Sequence, residues 1–129
     1  MESISSVKKE RVAALLQQIQ TAIQQLREWN RDIHSANDYY LSTEGMRNLA
    51  ADCMLVEAIG EGFKQIDKLT EGRFLTQCED IPWEDVIGIR NHIAHGYFDI
   101  DAEVVFSTIQ NDLPMLEKAV DFLLPLITA

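Results

Sequence analysis

Across residues 6–34 apolar side chains return every three or four positions: Val12, Leu15, Leu16, Ile19, Ala22, Ile23, Leu26 and Ile33, with glutamines and charges between them. That period fits the 3.6 residues of an α-helical turn and not the two-residue alternation of a strand. The spacing predicts one long helix over 6–34. The stripe covers roughly one-third of the circumference, as in a helix packed on one side only. Gln17, Gln18, Gln20, Gln24 and Gln25 then form its solvated face.

The rest of the chain repeats the pattern. Asn37-Asp38 is turn chemistry, after which Ser42 or Thr43 is placed to cap a second helix running from about Glu44 to Leu69. Leu49, Cys53, Val56, Gly60 and Phe63 lie on one line of it, and Met54, Leu55, Ile59 and Ile66 widen the apolar arc. An arc that broad belongs to the central helix of a bundle. Gly60 and Gly62 weaken the helix locally but permit close approach of a neighbour, with Glu61 between them facing something polar. Residues 70–81 read as a loop. Pro82 then opens a third helix, since the first turn does not need the missing N–H, and Glu84 and Asp85 suit the positive end of its dipole. Trp83, Val86, Ile87, Arg90, Ile93 and Ala94 share one side of it, and Gly96 stops it near Ala94 or His95. Asp99 or Asp101 caps a fourth helix striped by Val105, Phe106, Ile109, Leu113, Leu116, Val120, Leu123 and Leu124, which Pro114 kinks or divides near Asn111-Asp112. The expected fold is all-α: one domain over 1–129, an antiparallel bundle of four main helices with room for a short fifth.

Charge narrows the function. The net charge of −10 is unevenly spread: residues 1–73 hold 9 basic and 11 acidic side chains, and residues 74–129 hold 2 and 10. No basic patch interleaved with aromatics exists, so neither DNA binding nor general nucleic-acid affinity is expected. No apolar run approaches the ~20 residues of a membrane span, and the N-terminal residues carry no apolar signal core, so a cytoplasmic protein is expected. Cys53 and Cys78 are too few for a disulfide framework; Cys53 reads as a core residue, and Cys78, in a loop, has no assigned role.

Against that acidity one stretch stands out, Ile89-Arg90-Asn91-His92-Ile93-Ala94-His95-Gly96-Tyr97-Phe98. Arg90 is the only Lys or Arg between Arg73 and Lys118. A guanidinium grips a phosphate with two parallel hydrogen bonds, and an imidazole exchanges a proton near neutral pH. Five residues apart on a continuous helix, Arg90 and His95 diverge; if the helix stops at Ala94, His95 can swing back toward Arg90. These are the groups needed to cleave RNA without a metal: a base activates the 2′-hydroxyl, which attacks the adjacent phosphate, and an acid protonates the leaving 5′-oxygen. One chain offers one His in the main motif, so a two-fold homodimer with the motif on its axis, or His92, supplies the second group. Competing readings are a structural ion pair from Arg90 to Glu61, Glu84 or Asp85, a metal held by the H-x-x-H of His92 and His95, and a Tyr97 that merely edges the core.

The segment Arg90 to Tyr97 resembles the R-x4-H-x-Y motif of the HEPN superfamily, including the Asn directly after the Arg. Asp80-Ile81-Pro82-Trp83 before it, Tyr97-Phe98-Asp99-Ile100-Asp101 after it, and Asp112-Leu113-Pro114 in the last helix are similar to HepT-like toxins of HEPN/MNT toxin–antitoxin pairs. Ala58-Ile59-Gly60-Glu61-Gly62 resembles the A-I-G-E-A segment of their second helix. The resemblance spans essentially the whole chain. It implies an α-helical homodimer and a metal-independent endoribonuclease, with Arg90 and His95 catalytic, Asn91 supporting them and no cofactor or metal. It also implies an MNT-type nucleotidyltransferase antitoxin that transfers AMP from ATP to Tyr97. His92 sits at a variable position of the motif and is taken as a supporting residue. The alternative to an RNase is a non-catalytic helical dimerisation module that binds and regulates a partner nucleotidyltransferase through its acidic surface. A metal-dependent hydrolase using His92 and His95 is the third possibility.

Overall fold

The computed structural model describes residues 4–94 and 99–129. Among them the regular structure is helical: α1 (Ser6–Trp29), α2 (Thr43–Leu69), α3 (Trp83–Ile87), α4 (Arg90–Ile93), α5 (Ala102–Ser107) and α6 (Leu113–Thr128), with 3₁₀ turns at Ala36–Tyr40 and Leu75–Gln77. The expected all-α architecture is present. None of these helices is long and apolar enough to cross a membrane.

Side-chain bonds give the relative directions of the long helices. Arg11 of α1 bonds Gln65 of α2, while Asn48 of α2 donates to the carbonyl of Trp29 at the other end of α1. Gln20 and Arg27 of α1 meet Asp121 and Glu117 of α6 in reversed order. α1 is therefore antiparallel to both α2 and α6. Its buried line, Val12, Leu15, Leu16, Ile19, Ile23 and Leu26, faces them and the one continuous apolar cluster they enclose. Gln17, Gln18, Gln24 and Gln25 are exposed as expected, whereas Gln20 is half-buried by its bond to Asp121.

Local chemistry sets the ends. Ser42 Oγ accepts the Gly45 N–H at 2.9 Å and starts α2, and Asp101 Oδ1 accepts the Val104 N–H at 3.2 Å and starts α5. One boundary departs from the sequence expectation. α1 ends at Trp29, not at residue 34, because the buried Asn30 turns both its backbone N–H and its side-chain amide onto the Leu26 carbonyl. Ile33 packs from the turn that follows. The final helix is divided where Pro114 demanded it, in a particular way: residues Thr108–Asp112 form a π-turn in which the Leu113 N–H reaches back five residues to Thr108. The widened turn makes room for a ring that would collide with the preceding turn of an α-helix. Met54 is also corrected: its side chain is 65% exposed and does not widen the α2 core.

The core holds one polar knot that periodicity did not reveal. Asp52 and Tyr39 are fully buried, and the Tyr39 hydroxyl lies 2.9 Å from both Asp52 Oδ2 and Asn30 Oδ1. Asn30 has already turned its amide nitrogen to Leu26, so its oxygen must accept from Tyr39. The Tyr39 hydroxyl also donates toward Asp52 Oδ2, its one hydrogen shared between the two acceptor oxygens. Burial pushes the Asp52 carboxyl up to about 6, and its Oδ1 has no partner. Folding therefore takes up a proton between the unfolded value of about 3.9 and about 6. Stability gained from this group is complete below that window and is lost as the pH rises through about 6. Asp52→Asn keeps the shape and removes the charge. It is expected to stabilise the protein by on the order of 2 kcal/mol at pH 8, an advantage that shrinks toward pH 4, measured by urea unfolding at both pH values.

Candidate active site around alpha 4

α4 hangs on α2 through a contact that needs a bare backbone. A Cβ built on Gly60 would lie 2.8 Å from Ile89 Cγ2 and 2.9 Å from the Val86 carbonyl oxygen. Gly60 thus lets the α3–α4 segment seat directly on α2, the close approach expected from the sequence. Gly62 plays the same part toward α1, where only the Ile19 side chain lies within reach. Glu61, between them, is exposed and borders a surface groove with Arg11, Gln18 and Gln65. Trp83 secures the other end: its indole N–H donates to the Cys78 carbonyl at 3.1 Å, and its ring tilts against Phe63 of α2 with centroids 4.9 Å apart.

The third helix expected over 82–94 is not continuous. Gly88 and Ile89 form a turn between α3 and α4, with Ile89 and His92 bonded to carbonyls three residues back instead of four. Glycine is a weak helix former, and tightening to three residues per turn changes the phase of all that follows. Arg90 therefore does not share the packed side of Trp83, Val86, Ile87 and Ile93. Ile93 is fully buried, whereas Arg90, Asn91 and His92 are exposed. Among the described residues the ion pairs are Arg27–Glu117 and Arg31–Glu28, so the pairing of Arg90 with Glu61, Glu84 or Asp85 is not formed.

α4 stops where the sequence required. Ala94 turns extended (φ −147°, ψ 136°) and pairs antiparallel with Ile100, and the Asp101 N–H donates to the Ile93 carbonyl at 2.8 Å. Residues 93–94 and 100–101 are thus held side by side, next to Arg90. His95 and Tyr97 lie outside the described residues. Among the described residues no three His, Cys, Asp or Glu side chains lie close enough to hold a metal ion.

Beside α4 the surface opens into a cavity of about 230 Å³ between α2, α3 and the π-turn. Its walls are largely apolar, with Asp85, His92, Thr108 and Asp112 among the lining side chains. Partial burial raises the Asp112 carboxyl above the usual carboxylate range. The sequence alone assigns Asp85 to the helix dipole and Asp112 to a motif flank. The signal available for both was an acidic residue next to a helix breaker, Pro82 in one case and Pro114 in the other. Cys53 is a core residue, its thiol pushed up to about 11 chiefly by burial.

The two glycines of α2 make a paired test of how α4 is held. Gly60→Ala meets backbone and forces the α3–α4 segment outward, at an expected cost of about 1–3 kcal/mol. Gly62→Ala meets only the end of Ile19 and is expected to cost less. Thermal melts of the two variants give the order.

Residues 19–123 match the family described as ribonuclease HepT-like. A candidate RNase of Methanocaldococcus jannaschii is 27% identical over 113 residues, 88% of this chain and 96% of that protein. A probable ribonuclease HepT of Thermococcus cleftensis is 28% identical over 102 residues, 79% of this chain and 86% of the relative. A candidate RNase of Caldanaerobacter subterraneus is 32% identical over 65 residues, half of this chain and 54% of that protein's length. No solved structure matches significantly. The helical fold, the Arg-first motif on α4 and the match over residues 19–123 agree: this chain belongs to the HepT-like ribonuclease family of the HEPN superfamily.

Proposed function

We propose that the chain is a metal-independent endoribonuclease of the HEPN type, with Arg90 and His95 as its catalytic pair. The observation that carries this reading is Arg90 itself. It is an exposed guanidinium with no acidic partner among the described residues, in a stretch where every other charged side chain from Glu79 to Glu117 is acidic. A free guanidinium beside an anchored helix end suits a phosphodiester. In this mechanism Arg90 holds the scissile phosphate and neutralises the charge that grows on its oxygens. A base removes the 2′-hydroxyl proton, the 2′-oxygen attacks phosphorus, and an acid delivers a proton to the departing 5′-oxygen, leaving a 2′,3′-cyclic phosphate. His95 takes one proton-transfer role. Its counterpart in a second copy of the chain takes the other, which is why we read the active species as a homodimer. Asn91 supports the pair.

The same reading places the chain in a toxin–antitoxin pair with an MNT-type nucleotidyltransferase. The Tyr97 oxygen attacks the α-phosphorus of ATP, pyrophosphate leaves, and the AMP ester blocks the cleft while its phosphate occupies Arg90. One observation favours the non-catalytic alternative, a module that only binds such a partner: the net charge of −8 over residues 74–129 repels RNA. The two readings separate on turnover. Purified protein with RNA in EDTA is expected to yield cyclic-phosphate ends, and Arg90→Ala and His95→Ala are each expected to reduce the rate by about 10²–10⁴-fold. Because Arg90 is exposed, its substitution should change stability by less than about 0.5 kcal/mol. Cleavage that survives both substitutions would overturn the assignment, and absence of cleavage by the wild type would favour the binding module. Mass spectrometry after incubation with the nucleotidyltransferase and ATP should show added AMP on the wild type and none on Tyr97→Phe.

A further inference from the structure

The cavity beside α4 has no part in the chemistry above, and its lining is unlike a phosphate site. Its apolar walls include Val56 and Ile89, and the polar groups Asp85 and Asp112 are acceptors when ionised. Carboxylates repel phosphate and attract amino and imino hydrogens. At about 230 Å³ the cavity falls below the roughly 300–1,000 Å³ of drug-sized sites and suits a single heterocycle. His92 lines it from α4. Arg90 and His92 are two residues apart on one helical turn, so they leave α4 in directions roughly 200° apart. One short helix thus presents a phosphate-gripping group on one side and a cavity-lining ring on the other.

We propose that this cavity is a nucleobase pocket of the RNase, reading a base next to the scissile phosphate, and that guanine is the base it prefers. The inference rests on the ribonuclease reading of the chain. Guanine alone among the four bases presents an imino and an amino hydrogen side by side, and one carboxylate accepts both in a two-pronged contact. Adenine and cytosine offer an amino group without the adjacent imino hydrogen, and uracil offers one imino hydrogen. The His92 ring stacks on the base or donates to its N7 and O6 edge, as aromatic rings do on unstacked RNA bases. Asp112 is the stronger of the two candidate acceptors, because it stands at the π-turn, where the chain is widened and the carboxyl is partly desolvated. The opposed directions of Arg90 and His92 mean that the base read belongs to a nucleotide neighbouring the gripped phosphate.

The test is a nuclear magnetic resonance titration of the full-length labelled protein with guanosine, adenosine, cytidine and uridine, paired with sequencing of RNA cleavage ends. Guanosine should shift the amides of Gly60, Ile89 and Leu113 and bind roughly 10-fold tighter than the other three. Asp112→Asn and Asp85→Asn, checked for folding by thermal melts, should reduce that preference, Asp112→Asn the more, and flatten the sequence context of cleavage. Arg90→Ala should leave guanosine binding unchanged. The pocket is ruled out if no nucleoside shifts those amides, or if all four do so equally and neither carboxamide variant changes the pattern. RNA cleavage without guanosine binding removes the pocket and leaves the RNase. Guanosine binding without cleavage keeps the pocket and removes the RNase.

Discussion

The contact on which the site depends is the seating of Val86 and Ile89 against the bare backbone of Gly60. It is a steric constraint: no side chain larger than hydrogen fits between the two segments. α4 is a single turn and cannot be stable alone, because a helix nucleus fixes several residues for one hydrogen bond. Its position is borrowed from α2 through this contact, from Trp83 against Phe63 and Cys78, and from the pairing of Ala94 with Ile100. With those held, Arg90 is displayed outward on a base anchored at three points. A loosened seat would leave the guanidinium in place chemically and lost geometrically.

The long helices provide the frame on which that seat rests. α1 lies between α2 and α6, and the reversed order of the bonds at its two faces fixes the register of both. Hydrophobic burial drives this assembly, yet the ends are decided by polar groups. Asn30 stops α1, and with Tyr39 and Asp52 it ties the α1–α2 connection to α2. A carboxyl buried without a cation is destabilising when charged, so the knot works best with a proton on Asp52. It gives the connection a single arrangement at some cost in stability above about pH 6.

The π-turn at Thr108–Asp112 shows a local strain put to structural use. Pro114 cannot continue an α-helix, and the chain answers by widening one turn instead of breaking. The widening falls beside α4 and forms one wall of the cavity that His92 lines. A kink was therefore legible from the proline; the space it opens was not, since that space exists only because α2 and α3 wall its other sides.

Much of this protein was determined by spacing alone. Apolar residues at three- and four-residue steps dictated long helices, Ser42 or Thr43 and Asp99 or Asp101 bracketed where two helices begin, and the order Arg90-Asn91-His92-Ile93-Ala94-His95 marked the candidate site. These features are local: each depends on residues within a few positions of one another. Other features depend on residues far apart in the chain, and only the tertiary structure decided them. On a continuous helix Arg90 shares the apolar side, but the turn at Gly88 shifts the phase and sends it to solvent. Met54 lay within the expected arc yet faces outward, because nothing packs over it. Asp52 has no place in the apolar stripe of α2, yet it is buried because Tyr39 and Asn30 close over it. Periodicity reports which face of a segment is apolar. Which segment meets that face, and what polar group is trapped between them, is settled only when the whole chain packs.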